Sequence, residues 1–141
     1  MNESIILPDR ASPLAGYPHA RRVGDLLFLC GTSSRRRDNT HEGASVNADG
    51  TMHLDISVQT HAVIRNMQAI LQAAGADLEH LVDITTFLVD IPRDFAGYNA
   101  AYNEYFDAAT GPARTTVGVR ELPHPNLLIE MKGIAYLGER T

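Results

Sequence analysis

The fold class is decided by residues 56–89, ISVQTHAVIRNMQAILQAAGADLEHLVDITTFLV, because they join a helix to a strand. The first part predicts a helix with apolar side chains along one face, at positions 56, 63, 64, 67, 70, 71 and 74. Asp55 or Ser57 offers an N-cap, and Gly75 offers a C-terminal stop. Leu81–Val89 is rich in β-branched and aromatic residues, which is typical of a strand.

The N-terminal part predicts a hairpin between two irregular segments. Tyr17–Val23 and Leu26–Cys30 have strand composition and flank a Gly-Asp turn. Prolines and a glycine in residues 1–16 favour an extended arm without regular structure. The polar stretch Gly31–Gly50 predicts a long loop, and long loops in compact domains are usually functional.

The C-terminal part predicts a second helix and two more strands. The helix starts near Asp94 and ends before Gly111-Pro112, with one face formed by Phe95, Tyr98, Asn99, Tyr102 and Phe106. Arg114–Arg120 and Leu127–Leu137 are the strands, joined by a proline-bearing turn.

The element order ββ–α–β–α–ββ indicates a single α+β domain over residues 1–141, with one sheet and two helices on one face. Leu26-Leu27-Phe28-Leu29 is apolar on both faces, whereas a sheet with one face in water alternates apolar and polar residues. We therefore expect the face without helices to be buried against other subunits.

Composition limits the classes of function. A net charge of −5 argues against a broad nucleic-acid-binding face, but a local arginine cluster can still attract small anions. No apolar run approaches the roughly 20 residues of a membrane span, so we expect no membrane partner. The one cysteine, Cys30, suits a cytoplasmic protein. The six histidines lack metal-ligand spacing, so no metal is expected.

Four motifs in order resemble the RidA/YjgF/UK114 family nearly from end to end. They are Gly16-Tyr17, Cys30-Gly31, Asn99-Ala100-Ala101-Tyr102, and Pro112-Ala113-Arg114-Thr115-Thr116-Val117 followed by Leu122-Pro123 and Ile129-Glu130-Met131. The resemblance implies a chorismate-mutase-like fold with a mixed, mostly antiparallel sheet. It also implies a homotrimer with sites between subunits, and hydrolysis of enamine or imine acids to a keto acid and ammonia without any cofactor.

Within the family, the segment Cys30–Thr40 is most similar to 2-aminomuconate deaminases. That similarity implies conversion of 2-aminomuconate to 4-oxalocrotonate in aromatic-compound degradation. Two positions depart from the family pattern: Cys30 stands where serine is common, and Thr116 stands where many members have cysteine. Both replacements are small, so they leave room for the pocket. They also change two side chains that the resemblance places at the substrate.

Arg114 and Glu130 are the predicted catalytic residues. A guanidinium grips a carboxylate through two parallel hydrogen bonds, although a strand arginine on its own is more often a surface or ion-pair residue. Glu130 lies in an apolar strand, where burial raises the pKa of a carboxyl group towards a useful acid–base range. It could instead pair structurally with an arginine, or orient water without moving a proton.

Six further residues are predicted to bind substrate: Tyr17, Cys30, Gly31, Asn99, Thr116 and Arg35. Gly31 allows close approach of ligand to backbone, and Tyr17 offers a wall and a hydroxyl. Cys30 could equally be a buried small apolar residue, and Asn99 could bind loop backbone. Arg35 is the first of three consecutive arginines, one of which could meet a second substrate carboxylate.

Two alternatives to 2-aminomuconate hydrolysis remain at this point. The first is a general deaminase of 2-aminoacrylate-type intermediates, which predicts a small pocket and no role for the arginine run. The second is a ligand-binding or chaperone-like trimer without enzymatic activity.

Overall fold

The first helix forms as its periodicity predicts. In the computed structural model, which describes residues 1–139, α1 spans Ile56–Ala73. The Asp55 carboxylate accepts a hydrogen bond from the Val58 backbone N–H at 3.1 Å and so caps the helix. Gly75 follows the helix with a φ of +79°, a backbone conformation that favours glycine. The side of α1 that faces the sheet is buried, with Val63, Ile64, Met67, Ile70 and Leu71.

Six strands form one sheet, and their bounds are β1 Asn2–Ile5, β2 Ala20–Val23, β3 Leu26–Leu29, β6 Leu81–Leu88, β7 Ala113–Gly118 and β8 Ile129–Tyr136. Their order across the sheet is β1-β2-β3-β8-β6-β7. All neighbours are antiparallel except β6 and β7, which run parallel. The second helix, α2 (Ile91–Tyr102), connects these two parallel strands. An α+β fold with a mixed, mostly antiparallel sheet is thus confirmed.

The two faces of the sheet differ in burial. Side chains alternate across a strand, and in β6 the buried set Ile84, Thr86 and Leu88 faces the helices. On the other face, called here the open face, Leu26 is 40% exposed and Phe28 41% exposed. The apolar pattern of β3 on both faces is therefore confirmed, and it leaves apolar side chains uncovered in the single chain.

Buried Gln59 ties α1 to two connecting segments. Its amide N–H₂ donates to the backbone carbonyls of Gly43 (3.3 Å) and Asn126 (2.8 Å). Its amide oxygen accepts from the Leu128 backbone N–H at 2.9 Å. Buried polar groups need such partners, and these bonds fix the loop before α1 and the start of β8 against the helix.

Three expectations about elements were wrong in detail. The arm contains β1, whose backbone pairs with β2. The loop over 31–50 includes β4 (Ala44–Val46), which forms a two-stranded hairpin with β5 (Met52–Leu54). Helix α2 begins at Ile91, capped by Asp90, and ends at Tyr102 rather than near residue 110. Residues 140 and 141 of the predicted domain lie outside the described part of the chain.

No helix within residues 1–139 has both the length and the hydropathy that crossing a bilayer requires.

Candidate functional site

Arg114 lies on the edge strand β7, on the side of the sheet that the helices cover. It pairs in register with buried Ile84 of β6, so both side chains point towards α2. Its guanidinium carbon is 4.7 Å from the ring centroids of both Tyr98 and Tyr102, and 5.9 Å from that of Phe95. These distances are those of cation–π contacts, which hold the guanidinium in place without using its N–H donors.

The Arg114 donors are free. Among residues 1–139, its guanidinium makes no hydrogen bond or ion pair with a protein acceptor. Arg93 on the preceding helix differs, because it donates two bonds to the Asp94 carboxylate, at 2.8 and 2.9 Å. A half-buried guanidinium with unused donors is suited to bind a carboxylate through two parallel hydrogen bonds.

Hydroxyl groups lie beside Arg114, on the rings that hold it and on its own strand. Tyr98 donates to or accepts from the Thr86 hydroxyl at 2.6 Å, which fixes that ring. Burial, followed by the neighbouring Tyr98, raises the pKa of Tyr102 to about 12, while Arg114 lowers it, so the phenol stays protonated at neutral pH. Thr116 lies two residues after Arg114 on the same face, and its buried hydroxyl oxygen has no partner within the described residues.

Glu130 lies on the open face of the sheet. It pairs with Phe87 of β6, whereas the adjacent residues Ile129 and Met131 are buried on the helix side. A Cβ placed on Gly31 would lie 2.7 Å from Oε2 of Glu130, so this carboxylate lies directly against the glycine. Burial raises the pKa of Glu130. A side chain at residue 31 would displace the carboxylate, which explains the need for glycine there.

A cavity of about 320 Å³ has Gly31, the glycine that lies against this carboxylate, in its wall, whereas Glu130 itself is not part of the lining. Its wall includes Tyr17, Cys30, Gly31 and Arg35, together with Asn66 and Ile70 of α1 and part of the N-terminal arm. Its volume falls in the range of small-molecule sites. Burial is the main cause that raises the pKa of the Cys30 thiol, and the Glu130 charge raises it further, so the thiol is protonated at neutral pH.

His19 holds the arm that closes this cavity. This buried side chain accepts a hydrogen bond from the Leu7 backbone N–H at Nδ1 (3.1 Å), and its Nε2 is 2.9 Å from the Ala11 carbonyl oxygen. The Tyr17 hydroxyl accepts from the Leu14 backbone N–H at 3.4 Å. The sequence gives no signal that marks His19 as a member of the site, because the partners of a lone histidine depend on tertiary structure.

The predicted site residues thus form two groups. The first group contains Glu130 and Gly31, together with the cavity residues Cys30, Tyr17 and Arg35. The cationic group contains Arg114 and Thr116, with Asn99 on α2 beside Tyr98 in sequence. Glu130 and Arg114 point to opposite faces of the sheet, so one chain does not bring the two groups together.

The sequence predicted the aromatic residues that hold Arg114 as one face of α2, but it did not predict that they contact Arg114.

Residues 1–139 contain no group of three or more His, Cys, Asp or Glu side chains that could hold a metal ion.

Comparisons with known proteins agree on one family. The model of the family described as Endoribonuclease L-PSP matches residues 8–137. A RutC family protein of Pyrococcus abyssi is 38% identical over 137 residues, covering 96% of this chain and 98% of the relative. A RutC family protein of Synechocystis is 45% identical over 126 residues, covering 89% of each chain.

Solved structures show the same fold. The yeast protein YEO7 matches with a TM-score of 0.81 at 31% identity, covering 96% of this chain and 98% of the other. YyfA of Yersinia pestis, described as a member of the Rid protein family, matches with a TM-score of 0.78 at 28% identity, covering 96% and 99%. Fold and site therefore define an α+β protein of the RidA fold class.

The chain belongs to the RidA/YjgF family, as the four sequence motifs predicted. Members of this family are generally enamine or imine deaminases and typically trimers that bind small molecules, although some relatives are named endoribonucleases.

Proposed function

We propose that the protein hydrolyses the enamine or imine form of an unsaturated 2-amino acid, with 2-aminomuconate as substrate and 4-oxalocrotonate and ammonia as products. The observation that carries this proposal is the Arg114 guanidinium, held on aromatic rings with its donors unused. A carboxylate next to the reacting carbon is the acceptor that such a group fits. The single free cysteine suits a cytoplasmic location for this activity.

The reaction needs positioning and a modest electrostatic effect. The enamine takes a proton on carbon, loses one from nitrogen and becomes an imine, whose carbon is electrophilic. Arg114 holds the adjacent carboxylate and favours this electron-poor form. The oxygen of a water held by Glu130 then adds to the imine carbon, and one of its protons passes to the imine nitrogen. The hydroxyl of this intermediate gives its remaining proton to the nitrogen as the C–N bond breaks, so ammonia leaves and a carbonyl remains.

A site that uses both Arg114 and Glu130 requires a second copy of the chain. Because the two side chains lie on opposite faces of one sheet, the β7 edge of a neighbouring copy has to meet the open face near Gly31. The uncovered apolar side chains on that face, including Leu26 and Phe28, support such an interface. We propose a homotrimer, in which each cleft takes Arg114 from one chain and Glu130 from the next.

Ammonia release from freshly generated 2-aminomuconate tests the proposal. Arg114→Ala removes two charge-assisted hydrogen bonds, each worth about 1.5–3 kcal/mol, so kcat/KM is expected to fall by about 100-fold or more. Arg114→Lys keeps the charge and loses the paired geometry, so its kcat/KM is expected to lie between those of wild type and Arg114→Ala. Arg120→Gln, in the connection after β7, serves as the control with full activity.

Four outcomes would contradict parts of the proposal. Equal rates for wild type and Arg114→Ala would remove the role of Arg114. Release from 2-aminoacrylate alone would favour the general deaminase, and no release from any enamine acid would favour a binding protein. RNA cleavage by the wild type would support the activity in the family model's name instead, which the net charge of −5 disfavours.

A further inference from the structure

The cavity that Gly31 lines carries a positive charge although the whole chain carries a net charge of −5. Two carboxylates line it, Asp9 and Glu42. Glu42 is already paired, because Arg65, which lies outside the lining, donates to its Oε1 at 3.2 Å. The positive lining residues are Arg10, Arg35, Arg36 and Arg37. The cavity can therefore attract an anionic group of a small molecule.

The positive field extends beyond the cavity wall. Burial is the main cause that lowers the pKa of His41, and His124, Arg35 and Arg36 lower it further. The His41 and His124 rings are in contact, with centroids 4.3 Å apart. A neutral His41 adds no charge to that of the arginines.

The four arginines differ in what they bind. Arg35 is engaged at both terminal nitrogens, donating to the Asn39 side chain at 2.7 Å and to the Ser12 carbonyl at 2.6 Å. Those bonds join the loop to the N-terminal arm, so Arg35 holds the cavity wall together. Arg10 donates to Asn66 at 3.3 Å, and Arg36 donates to Thr40 at 3.1 Å.

Arg37 is the arginine whose donors remain unused. Within residues 1–139 it makes no side-chain hydrogen bond or ion pair. A guanidinium that lines a cavity with its fork free is better placed to take a ligand carboxylate than one already bound to protein acceptors.

The cavity and the proposed reaction site meet at Gly31. This residue forms part of the cavity wall and lies against the Glu130 carboxylate, which is not itself in the lining. A substrate with its reacting carbon at Glu130 and its first carboxylate on Arg114 of a neighbouring copy would extend its far end into this cavity.

We propose that Arg37 binds the distal carboxylate of a substrate with two acid groups, while Arg35 is a positioning residue that braces the loop. The inference rests on the proposed deaminase function for the reacting end of the substrate. It adds the residue that distinguishes dicarboxylates from monocarboxylates of the same length.

Binding of two unreactive acids tests this without any chemical step. Muconate and sorbate share a six-carbon diene skeleton, and sorbate lacks the second carboxylate. Calorimetry on the full chain is expected to show wild type binding muconate at least tenfold more tightly than sorbate. In Arg37→Gln the two dissociation constants are expected to lie within about twofold, while the control Arg120→Gln keeps the wild-type preference.

The Arg35→Gln variant separates the two roles. If Arg35 only positions the loop, its loss weakens the binding of both acids. The dissociation constants for muconate and sorbate are then expected to rise together, with little change in their ratio. Loss of the muconate preference in Arg35→Gln but not in Arg37→Gln would overturn the assignment, as would equal binding of both acids by wild type. A preference that depends on Arg37, in a protein that releases no ammonia, would support this inference and contradict the deaminase proposal.

Discussion

Replacing Gly31 with alanine tests the position of the Glu130 carboxylate with a single methyl group. The added Cβ would lie 2.7 Å from Oε2 and 3.0 Å from Cδ of Glu130. Ordinary contacts begin near 3.4 Å, so the carboxylate has to move by about 0.7 Å. Because the displaced atoms are the end of a flexible side chain, the fold can accommodate the change, and the melting temperature is expected to stay close to that of wild type.

The activity is expected to respond more strongly than the stability. A misplacement of about 1 Å in a catalytic group costs on the order of 100-fold, so we expect kcat/KM for ammonia release to fall by about 10-fold to 100-fold. Gly16→Ala is the matched control, because a Cβ there meets no atom within 4 Å. Full activity of Gly31→Ala at an unchanged melting temperature would show that the reaction does not depend on where this carboxylate lies.

Two further predictions concern stability and assembly. Burial raises the pKa of Glu130 above its usual 4.5, so the folded state favours the protonated form and wild type loses stability as pH rises from 4.5 through the raised pKa. Glu130→Gln is therefore expected to be more stable than wild type at pH 7 and similar to it below pH 4.5. Urea denaturation at several pH values measures this difference, and a stability advantage that is independent of pH would argue against burial of the charge as the cause. Phe28→Glu places a charge on the open face, and sedimentation is expected to detect smaller species with no ammonia release. Val46→Glu, at a 70% exposed position in the β4–β5 hairpin, is expected to sediment like wild type; trimers of Phe28→Glu would place the interface elsewhere.

Periodic elements of the fold could be predicted from the sequence, and elements without a buried face could not. Helix α1 buries one face, and its apolar spacing records that burial. β1 and the β4–β5 hairpin are mostly exposed, so their side chains carry no alternation, and backbone pairing defines them. For α2, the signal was present in Asp90-Ile91-Pro92, a cap followed by a proline in the first turn.

The candidate site residues could be chosen from motifs, but their arrangement could not. The sequence does not reveal that β6 and β7 run parallel, and this register places Arg114 on the helix side. The contact between Gly31 and Glu130 joins segments about a hundred residues apart along the chain, and only the sheet brings them together. The hydrogen bonds of Arg35 likewise depend on where the N-terminal arm folds back.

The division of Arg114 and Glu130 between two faces of the sheet affects how defects would combine. If each cleft takes Arg114 from one chain and Glu130 from the next, every chain contributes to two catalytic centres. A chain that lacks one of these two side chains would then inactivate one of its two centres and leave the other intact. In a mixture of chains that lack the guanidinium with chains that lack the carboxylate, some clefts would contain both groups and would be active. Dilution that dissociates the assembly would abolish the activity even of wild-type chains.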